Sequence, residues 1–404
     1  MKTVLLRAPL LSQSGYGVHA RQIARAVFAM QKELGFKLST SIYSWGGTHQ
    51  ITDYYACDGL IADIVDASVP TVTADSAYDV SLQLMLPEWD ASVAKVNIGF
   101  TAAVETDVCN PRWLEAVNRM NLVVVPSEFT KGVFLNSAQR LGYPLTTPIV
   151  VVPESFPAVY LEKPTAHRLQ LGTAFNFLAV AQLNGSTPDT DRKNLLMTLK
   201  WFLEEFKGKS ECGLVIKTST TGALTEYDRT LTTNNFNAVM RDLQAAGIYA
   251  PGPKSPSIYL LHGRMTDNEM YSLYTHPKIK AMLALTRGEG FGLPMLEAAA
   301  CDLPVIFTDW SAHTEFLKKH PRNLAVPCSL IRVADAKVDN NIFFAGAKWA
   351  EPDEKQAKLR MKKFTEAPST PQQWSKELGK TLRAEYSPAA IDARYAEVLK
   401  EYLQ

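Results

Sequence analysis

TRGEGFGLPMLEAAACDLPVI, the stretch from Thr286 to Ile306, places a glycine-rich turn and a short helical pattern between two segments of strand-like composition. Glu289 lies within the turn, and Glu297 follows eight positions later. The three glycines allow backbone amides to approach a ligand closely, and Pro294 suits the first turn of a helix. We therefore predict a strand, a turn, a helix and a second strand over this stretch.

The same alternation extends through the second half of the chain. Thr266-Asp-Asn-Glu269 has capping-box spacing and predicts the start of a helix. WSAHTEFL predicts another helix that opens at Ser311. Residues 329–347 carry no clear pattern. Hydrophobic segments of strand length are predicted at Phe175–Ala181, Leu214–Lys217, Ile258–Leu261, Ala281–Leu285 and Val305–Phe307.

The first half repeats this organisation. After the first strand, a glycine loop leads into a helix with Ile23, Val27 and Met30 on one face. Ser127 is a good N-cap for the helical segment EFTKGVFLNSA. Strands are predicted at Thr3–Leu6, Phe36–Tyr43, Val80–Leu86, Val96–Phe100, Asn121–Val125 and Val150–Val152.

Strands that alternate with helices indicate an α/β fold with parallel sheets built from right-handed βαβ units. The chain has 404 residues, which is long enough for two domains. The proline-rich segment Pro153–Gly172 has little periodicity and is interpreted as the linker between them. Ligands of such sheets bind beyond the carboxyl ends of the strands.

Composition excludes several classes of protein. Lys plus Arg is 42 and Asp plus Glu is 41, so no global charge draws the chain to nucleic acid or an anionic membrane. Five widely spaced cysteines without a CxxC motif predict reduced thiols and a cytoplasmic location. No apolar stretch reaches the ~18 residues that a transmembrane helix needs.

The segment GYGVHA, from Gly15 to Ala20, matches the pattern G-x-G-x-x-G/A between a strand and a helix. Contact with a phosphate, a tight turn between closely packed elements, and a nicotinamide cofactor site all remain open. A dinucleotide site would place a carboxylate about 20 positions later, at the end of the second strand. Here that strand ends in IYSWGG, which contains none.

The motif E-G-F-G-L-P-x-L-E closely resembles that of retaining nucleotide-sugar glycosyltransferases with the GT-B fold, in the large family 4. CDLPVIFTDWSAHTEFL and LVVVPSEFTKGVF resemble further segments of the same family. IGFTAAVETD and NPRW resemble a stretch in one branch of it. The likeness runs from the Gly15 loop to about Leu317 and is dense in the second half.

The resemblance implies two Rossmann-like domains whose parallel sheets face each other across a cleft. Residues 1–160 would form the acceptor domain, and the C-terminal helix within residues 386–404 would pack back on it. Residues 161–385 would form the domain that binds the nucleotide-sugar donor.

The resemblance also assigns roles within the donor domain. Glu297 would accept hydrogen bonds from the nucleotide ribose, and Glu289 would contact the transferred sugar. Lys193 is the best candidate for the lysine that binds the diphosphate, while Gln182 stands where the family often has a basic residue. The remaining donor-binding candidates are Arg192, Lys217 and the backbone amides of Gly290, Phe291 and Gly292.

On the acceptor side, the Gly15–Gly17 loop would face the diphosphate. Glu105 would contact the acceptor or act as its base. Many members of the family have a histidine in this part of the cleft. The sequence does not identify its equivalent here, and His19 is interpreted as structural.

The implied reaction is transfer of a sugar from a nucleoside-diphosphate sugar to an acceptor hydroxyl, with retention of configuration. Asp189 and Asp191 form the nearest match to a metal-binding D-x-D pair, but they fall in a predicted loop, so neither an obligatory metal nor another cofactor is expected. The acceptor stays open among a saccharide, a lipid-linked sugar, a small molecule and a modified nucleic-acid base. Two alternative functions are a nicotinamide-dependent oxidoreductase and a catalytically silent protein that binds nucleotide-sugars.

Overall fold

A computed structural model describes residues 1–44, 49–72, 78–102, 104–164, 169–183, 187–222 and 225–404. Part of the predicted linker and of the IYSWGG segment lie outside these ranges. The chain divides into two compact units. Unit 1 comprises Met1–Ser155, Asp339–Phe344 and Tyr386–Gln404, and unit 2 comprises Phe156–Val338 and Ala345–Glu385.

Unit 1 contains a six-stranded parallel sheet with the order β2-β1-β3-β4-β5-β6. All four residues of its LVVV strand are buried, as expected for a parallel strand covered on both faces. The strands are β1 (Thr3–Ala8), β2 (Lys37–Ile42), β3 (Tyr78–Leu84), β4 (Ala94–Phe100), β5 (Leu122–Val125) and β6 (Ile149–Val151).

The helices of unit 1 bury their apolar faces against this sheet and against each other. Trp113, Leu114 and Phe134 form part of a core with Val123 and Val125. Ser127 caps its helix as predicted, since its side chain accepts a hydrogen bond from the amide of Thr130. The helices are α1 (Gly15–Leu34), α2 (Leu60–Asp66), α3 (Pro111–Asn118), α4 (Glu128–Leu141) and, from the end of the chain, α13 (Pro388–Leu403).

Helix α13 packs along α1 within unit 1. The Arg25 guanidinium donates two hydrogen bonds to the Asp392 carboxylate, at 2.9 Å from Nε and 2.8 Å from Nη2. The buried ring of His19 lies 2.9 Å from the Tyr395 hydroxyl. A polar network thus joins two helices that are more than 350 residues apart in sequence.

Unit 2 contains a second six-stranded parallel sheet, with the order β12-β11-β10-β7-β8-β9. The pairs Phe177↔Leu214 and Met282↔Val305 show its register. The strands are β7 (Phe175–Val180), β8 (Cys212–Lys217), β9 (Ser257–Leu261), β10 (Ile279–Ala284), β11 (Val305–Thr308) and β12 (Leu324–Val326).

The core of unit 2 is rich in aromatic side chains, and the ring of Phe177 contacts those of Phe202, Phe206 and Phe364. Thr266 and Glu269 form the predicted capping box. Its helices are α5 (Val159–Glu162), α6 (Leu195–Glu205), α7 (Glu226–Ala245), α8 (Asp267–Tyr274), α9 (Leu293–Ala300), α10 (Thr314–Leu317), α11 (Glu354–Glu366) and α12 (Ser369–Glu385). Among the described residues, none of the helices in either unit has the length and hydrophobicity needed to cross a bilayer.

The stretch without a clear pattern contains part of an antiparallel hairpin. Its strands are β13 (Cys328–Arg332) and β14 (Lys348–Pro352), and a short 3₁₀ turn covers Asp335–Lys337. β13 is largely exposed and carries Leu330 and Ile331 on the surface. Periodicity does not reveal it, because its two faces are not divided into a buried and an exposed set.

The α/β fold class with two parallel sheets is confirmed, and the predicted strands are present with ends that differ by at most two residues. The predicted helix start at Ser311 is wrong. Ser311 has a φ of +78°, which is incompatible with a helix, and α10 begins three residues later. This left-handed residue places its side chain against the Glu289 turn instead.

The turn before α1 supports a stability prediction with an internal control. A Cβ added at Gly17 would lie 2.0 Å from the backbone oxygen of Ser12, whereas one added at Gly15 meets nothing within 4 Å. We expect Gly17→Ala to destabilise the protein by about 1–3 kcal/mol, because the backbone must shift to admit the methyl group. Gly15→Ala is expected to have little effect. Thermal unfolding of both variants tests this, and equal midpoints would contradict it.

Candidate functional site

The carboxyl edge of the sheet in unit 2 carries a pocket, which we call the edge pocket. Its space, counted together with the solvent-open part of its mouth, is about 390 Å³. The ends of β7 and β10 form an apolar floor, from Ala179 to Ala181 and from Met282 to Leu285. Lys193 and Glu289 also line it. Two loops that follow neighbouring strands therefore bring the predicted charged residues to one place.

Lys193 and Glu289 form a tight ion pair beside the edge pocket. The Lys193 Nζ lies 2.6 Å and 2.8 Å from the two carboxylate oxygens of Glu289. Arg192 Nη1 lies 3.4 Å from Glu289 Oε2 and donates a hydrogen bond to the Gly288 carbonyl at 2.6 Å. The predicted cations of this loop thus converge on the first glutamate of the motif.

These cations keep Glu289 ionised. Burial by itself raises the pKa of the Glu289 carboxyl, but the positive charges of Lys193 and Arg192 outweigh it and lower the pKa to about 2. The site therefore holds one fixed anion against two cations at neutral pH. An anionic ligand at this place would meet cations that already have a counter-charge from Glu289.

A chain of hydrogen bonds holds the backbone of Glu289. Its amide donates to the Ser311 hydroxyl at 3.0 Å, and that hydroxyl lies 3.3 Å from His313 Nδ1. His313 Nε2 lies 2.8 Å from the Thr308 carbonyl, which can only accept. Nε2 therefore carries the proton, and Nδ1 accepts from Ser311. Burial lowers the pKa of His313, which agrees with a neutral ring.

Glu297 lies on α9 in a different environment. One carboxylate oxygen accepts a hydrogen bond from the Tyr274 hydroxyl at 2.9 Å. Burial raises the pKa of Glu297 to about 8, and the negative charge of Asp267 adds to this against the Tyr274 hydrogen bond. The two glutamates of the motif therefore differ in protonation at neutral pH, with Glu289 ionised and Glu297 protonated.

The glycine turn joins these two glutamates. Gly292 has a φ of +105° and is the N-cap of α9. A Cβ at Gly292 would lie 3.1 Å from both the Cβ of His313 and the Cε of Met295, so the position favours glycine on two grounds. The ring of Phe291 packs against that of Phe316, with 5.4 Å between the ring centres, and this contact helps to orient the turn. Roles for the Gly290, Phe291 and Gly292 amides in ligand binding stay predictions.

Lys217 lies at the same edge, at the end of β8. Its Nζ donates to the Gly263 carbonyl at 2.7 Å, and burial lowers its pKa. Gln182 donates to the Thr220 carbonyl in the neighbouring loop. Lys217 therefore ties together two loops of the sheet edge, and the structure does not bring it into the Arg192–Lys193–Glu289 cluster.

Buried polar atoms also collect at this edge. Within the described part of unit 2, eight side chains have buried polar atoms without a hydrogen bond. Four of them follow the strands of the sheet, namely Asp191 (Oδ1), Asn194 (both amide atoms), Thr218 (Oγ1) and Thr308 (Oγ1). Each lies in a segment at the carboxyl end of a strand. An unsatisfied buried polar group costs about 1–3 kcal/mol, so a ligand that supplies hydrogen bonds here is favoured.

The predicted acceptor-side residues lie in unit 1. The Gly17 amide donates to the Ser14 hydroxyl at 3.2 Å, and Gly17 packs against the backbone of Ser12. This geometry favours the tight-turn interpretation at Gly17. Between the two glycines, Tyr16 is hydrogen-bonded to Thr101. Burial raises the pKa of Tyr16, and the nearby Glu105 carboxylate adds to the increase.

Two other observations concern residues that the sequence left in doubt. His19 is fully buried and bonded to Tyr395, which agrees with the structural role assigned to it. Within the described ranges, no three His, Cys, Asp or Glu side chains converge as metal ligands would. Sequence reasoning missed Ser311 and His313, although their place directly after a buried strand end was a usable signal.

The protonation of Glu297 gives a prediction about stability and pH. The ordinary pKa of a glutamate is 4.5 and that of folded Glu297 about 8, so the folded state binds the proton more tightly. This contribution to stability is fully present below pH 4.5 and is lost as the pH rises through about 8. Glu297→Gln mimics the protonated form. We expect the variant and the wild type to unfold at similar temperatures near pH 4. Between pH 4.5 and pH 8 the variant should become increasingly more stable than the wild type, and it should remain so at pH 9.

Thermal unfolding across this pH range measures the effect. Glu366→Gln, at an exposed glutamate in the same unit, is the control and should follow the wild type at each pH. Parallel curves for wild type and Glu297→Gln would show that Glu297 is already ionised at neutral pH.

Comparisons with known proteins agree with this architecture. The family of glycosyl transferases group 1 matches residues 258–340, which include Glu289 and Glu297. Among curated proteins, none is similar enough in sequence to count as a match.

Solved structures match over nearly the whole chain, at identities that establish the fold alone. A glycosyltransferase from Rickettsia africae has a TM-score of 0.63 at 12% identity, covering 100% of this chain and 99% of its own. An E. coli trehalose-6-phosphate structure bound with UDP-2-fluoro glucose gives the same four values. The α,α-trehalose-phosphate synthase (UDP-forming) from Burkholderia vietnamiensis has a TM-score of 0.62 at 11% identity, covering 99% and 100%. The chain therefore has the GT-B fold, and its residues 258–340 are similar to the glycosyl transferases group 1.

Proposed function

We propose that this protein transfers a sugar from a nucleoside-diphosphate sugar to an acceptor hydroxyl, with retention of configuration and without an obligatory metal ion. The observation that carries the proposal is the cluster of Arg192, Lys193 and Glu289 at the edge pocket. Its residues belong to two loops at the carboxyl edge of a parallel sheet, where ligands of such folds bind.

The charges of the cluster suit the departure of a nucleoside diphosphate. When the bond between the sugar C1 and the phosphate oxygen breaks, negative charge develops on the leaving diphosphate. Lys193 and Arg192 are held in place by Glu289 and by the Gly288 carbonyl. Preorganised cations of this kind lower the barrier because they need no reorganisation during the reaction.

The proposed route is attack by the acceptor oxygen on the same face of C1 from which the diphosphate departs. The acceptor proton passes to the leaving phosphate oxygen as the new bond forms. Glu289 contacts the sugar hydroxyls, Glu297 accepts from the ribose hydroxyls, and the amides of Gly290, Phe291 and Gly292 bind sugar and diphosphate oxygens. Lys217 supplies a further cation at the same edge.

The remaining parts of the proposal concern the first unit and the cell. Residues 1–160 with 386–404 would bind the acceptor through Glu105, the Gly15–Gly17 turn would contact the diphosphate, and residues 161–385 would bind the donor. A saccharide, a lipid-linked sugar, a small molecule and a modified nucleic-acid base are the candidate acceptors. A cytoplasmic location is supported by the five cysteines, none of which is paired in a disulfide.

A donor screen tests the proposal. The purified protein is mixed with UDP-, GDP- and ADP-sugars, and thermal stabilisation and release of nucleoside diphosphate are both measured. UDP-sugars are tried first, since the E. coli structure with the same fold binds UDP-2-fluoro glucose. Stabilisation by one donor together with slow donor hydrolysis supports the proposal. Stabilisation by NADPH alone would establish the oxidoreductase alternative, and binding without turnover the silent binder.

Two alanine variants separate the roles of the glutamates. Glu297→Ala should weaken nucleoside-diphosphate affinity by roughly 5- to 10-fold, because hydrogen bonds of about 0.5–1.5 kcal/mol each are lost. Glu289→Ala should not weaken this affinity, since its carboxylate competes with the diphosphate for Lys193. Its turnover should fall roughly 100-fold, because the sugar loses a positioned contact in the transition state.

Calorimetric titration of the diphosphate and release of product from the donor measure the two effects. Glu366→Ala, at the exposed end of α11, is the control for a lost surface carboxylate. If both site variants keep wild-type affinity and rate, the assignment of Glu289 and Glu297 is wrong.

A further inference from the structure

Arg287 is a buried cation that the proposed reaction does not use. It immediately follows Thr286 after β10 and is only 3% exposed. A guanidinium remains charged at any ordinary pH, so its burial is costly unless a carboxylate and further acceptors surround it. Its partners therefore show what the buried charge does.

The β13–β14 hairpin binds one edge of the planar guanidinium. Nε and Nη2 of Arg287 donate to the same Glu351 oxygen, at 2.8 Å and 2.5 Å. The guanidinium carbon lies 5.5 Å from the centre of the Trp349 ring. The Arg287 carbonyl accepts from the Ala350 amide at 2.9 Å. Three consecutive residues of β14 thus hold Arg287 by charge, by stacking and through its backbone.

The opposite edge binds residues 187–194, which we call the cation loop because it carries Arg192 and Lys193. Nη1 of Arg287 donates to the carbonyls of Pro188 and Asp191, the latter at 3.1 Å. The Arg287 amide donates to the Arg192 carbonyl at 2.8 Å. Arg287 therefore contacts the cation loop at three backbone oxygens just before Lys193.

The far end of the cation loop is anchored separately. The Asp191 carboxylate accepts from the Leu196 amide at 3.0 Å, which joins the loop to the first turn of α6. Between these anchors lie Arg192 and Lys193, whose side chains reach Gly288 and Glu289. Backbone contacts of the loop therefore set the position of both cations, and Arg287 makes three of these contacts.

We propose that Glu351 and Arg287 act as positioning residues for the donor site, with Glu351 orienting Arg287 and Arg287 holding the cation loop so that Arg192 and Lys193 meet the diphosphate. This inference rests on the proposed function. It gives the β13–β14 hairpin an indirect role in donor binding, since Arg287 and Glu351 position the cation loop without contacting the donor themselves.

Lysine cannot replace arginine in this arrangement. A lysine ammonium has three donors at a single point, whereas Arg287 directs separate donors to Glu351 on one side and to two carbonyls on the other. Arg287→Lys keeps the charge but releases part of the cation loop. Glu351→Gln keeps the shape but removes the counter-charge, and it is the milder change because the Glu351 side chain is 29% exposed.

The test compares Arg287→Lys and Glu351→Gln with Arg383→Lys. Arg383 is the control because it lies in the same unit and also donates to a backbone carbonyl and a carboxylate, those of Ala300 and Asp302, with a side chain that is 28% exposed. UDP, GDP and ADP are titrated into each protein, and amide hydrogen exchange is followed over residues 187–194. We expect Arg287→Lys to weaken the best-bound diphosphate roughly tenfold or more, since small displacements of positioned groups are costly.

Exchange over the cation loop should accelerate in both Arg287→Lys and Glu351→Gln, with little change in Arg383→Lys. A purely structural role predicts instead that Arg287→Lys loses stability while diphosphate affinity and loop exchange stay at wild-type values, and this result would overturn the inference. If Arg287→Lys fails to fold, Glu351→Gln decides the question by the same two measurements. If the wild type binds none of the three diphosphates, the proposed function fails, whereas the exchange data still test the positioning of the loop.

Discussion

The ion pair between Lys193 and Glu289 joins two loops that are 96 residues apart in sequence. It is possible because β7 and β10 are neighbours in a parallel sheet, so their carboxyl ends meet at one edge. Arg192 and the hydrogen-bonded chain of Ser311 and His313 are arranged around this pair, since Arg192 lies near the Glu289 carboxylate and Ser311 accepts from the Glu289 amide. The sheet order of unit 2 is therefore the constraint from which the chemistry of the edge follows.

The two motif glutamates show how local environment divides identical side chains. Two cations hold Glu289 as an anion, whereas burial beside Tyr274 keeps Glu297 protonated. A protonated carboxyl can both donate and accept, so Glu297 suits neutral hydroxyl groups such as those of a ribose. Glu289 keeps a negative charge, so its carboxylate can accept hydrogen bonds either from Lys193 or from a ligand hydroxyl. Environments that separate the pKa values of paired groups are typical of functional sites.

The sequence reveals the parallel strands and the glutamate turn because both depend on short-range patterns. Continuous hydrophobic segments such as LVVV are buried wherever they occur. The backbone at position 292 has a positive φ, which favours glycine there. The contacts of Arg287 could not be predicted in this way. They depend on β14, which lies more than 60 residues away and carries no alternating pattern. Ser311 was assigned to a helix for a related reason, since its hydrogen bond to the Glu289 amide is a tertiary contact that overrides local propensity.

The packing of α13 on α1 has a consequence for biosynthesis. The first sheet leaves the ribosome early, but the helix that covers α1 is translated only after the whole second sheet. Until then the guanidinium of Arg25 and the imidazole of His19 lack the Asp392 and Tyr395 side chains that they contact in the finished fold. The apolar surface of α1 that α13 covers therefore stays exposed in the nascent chain until α13 has been synthesised. Chaperones that bind apolar helix surfaces would act mainly during that interval.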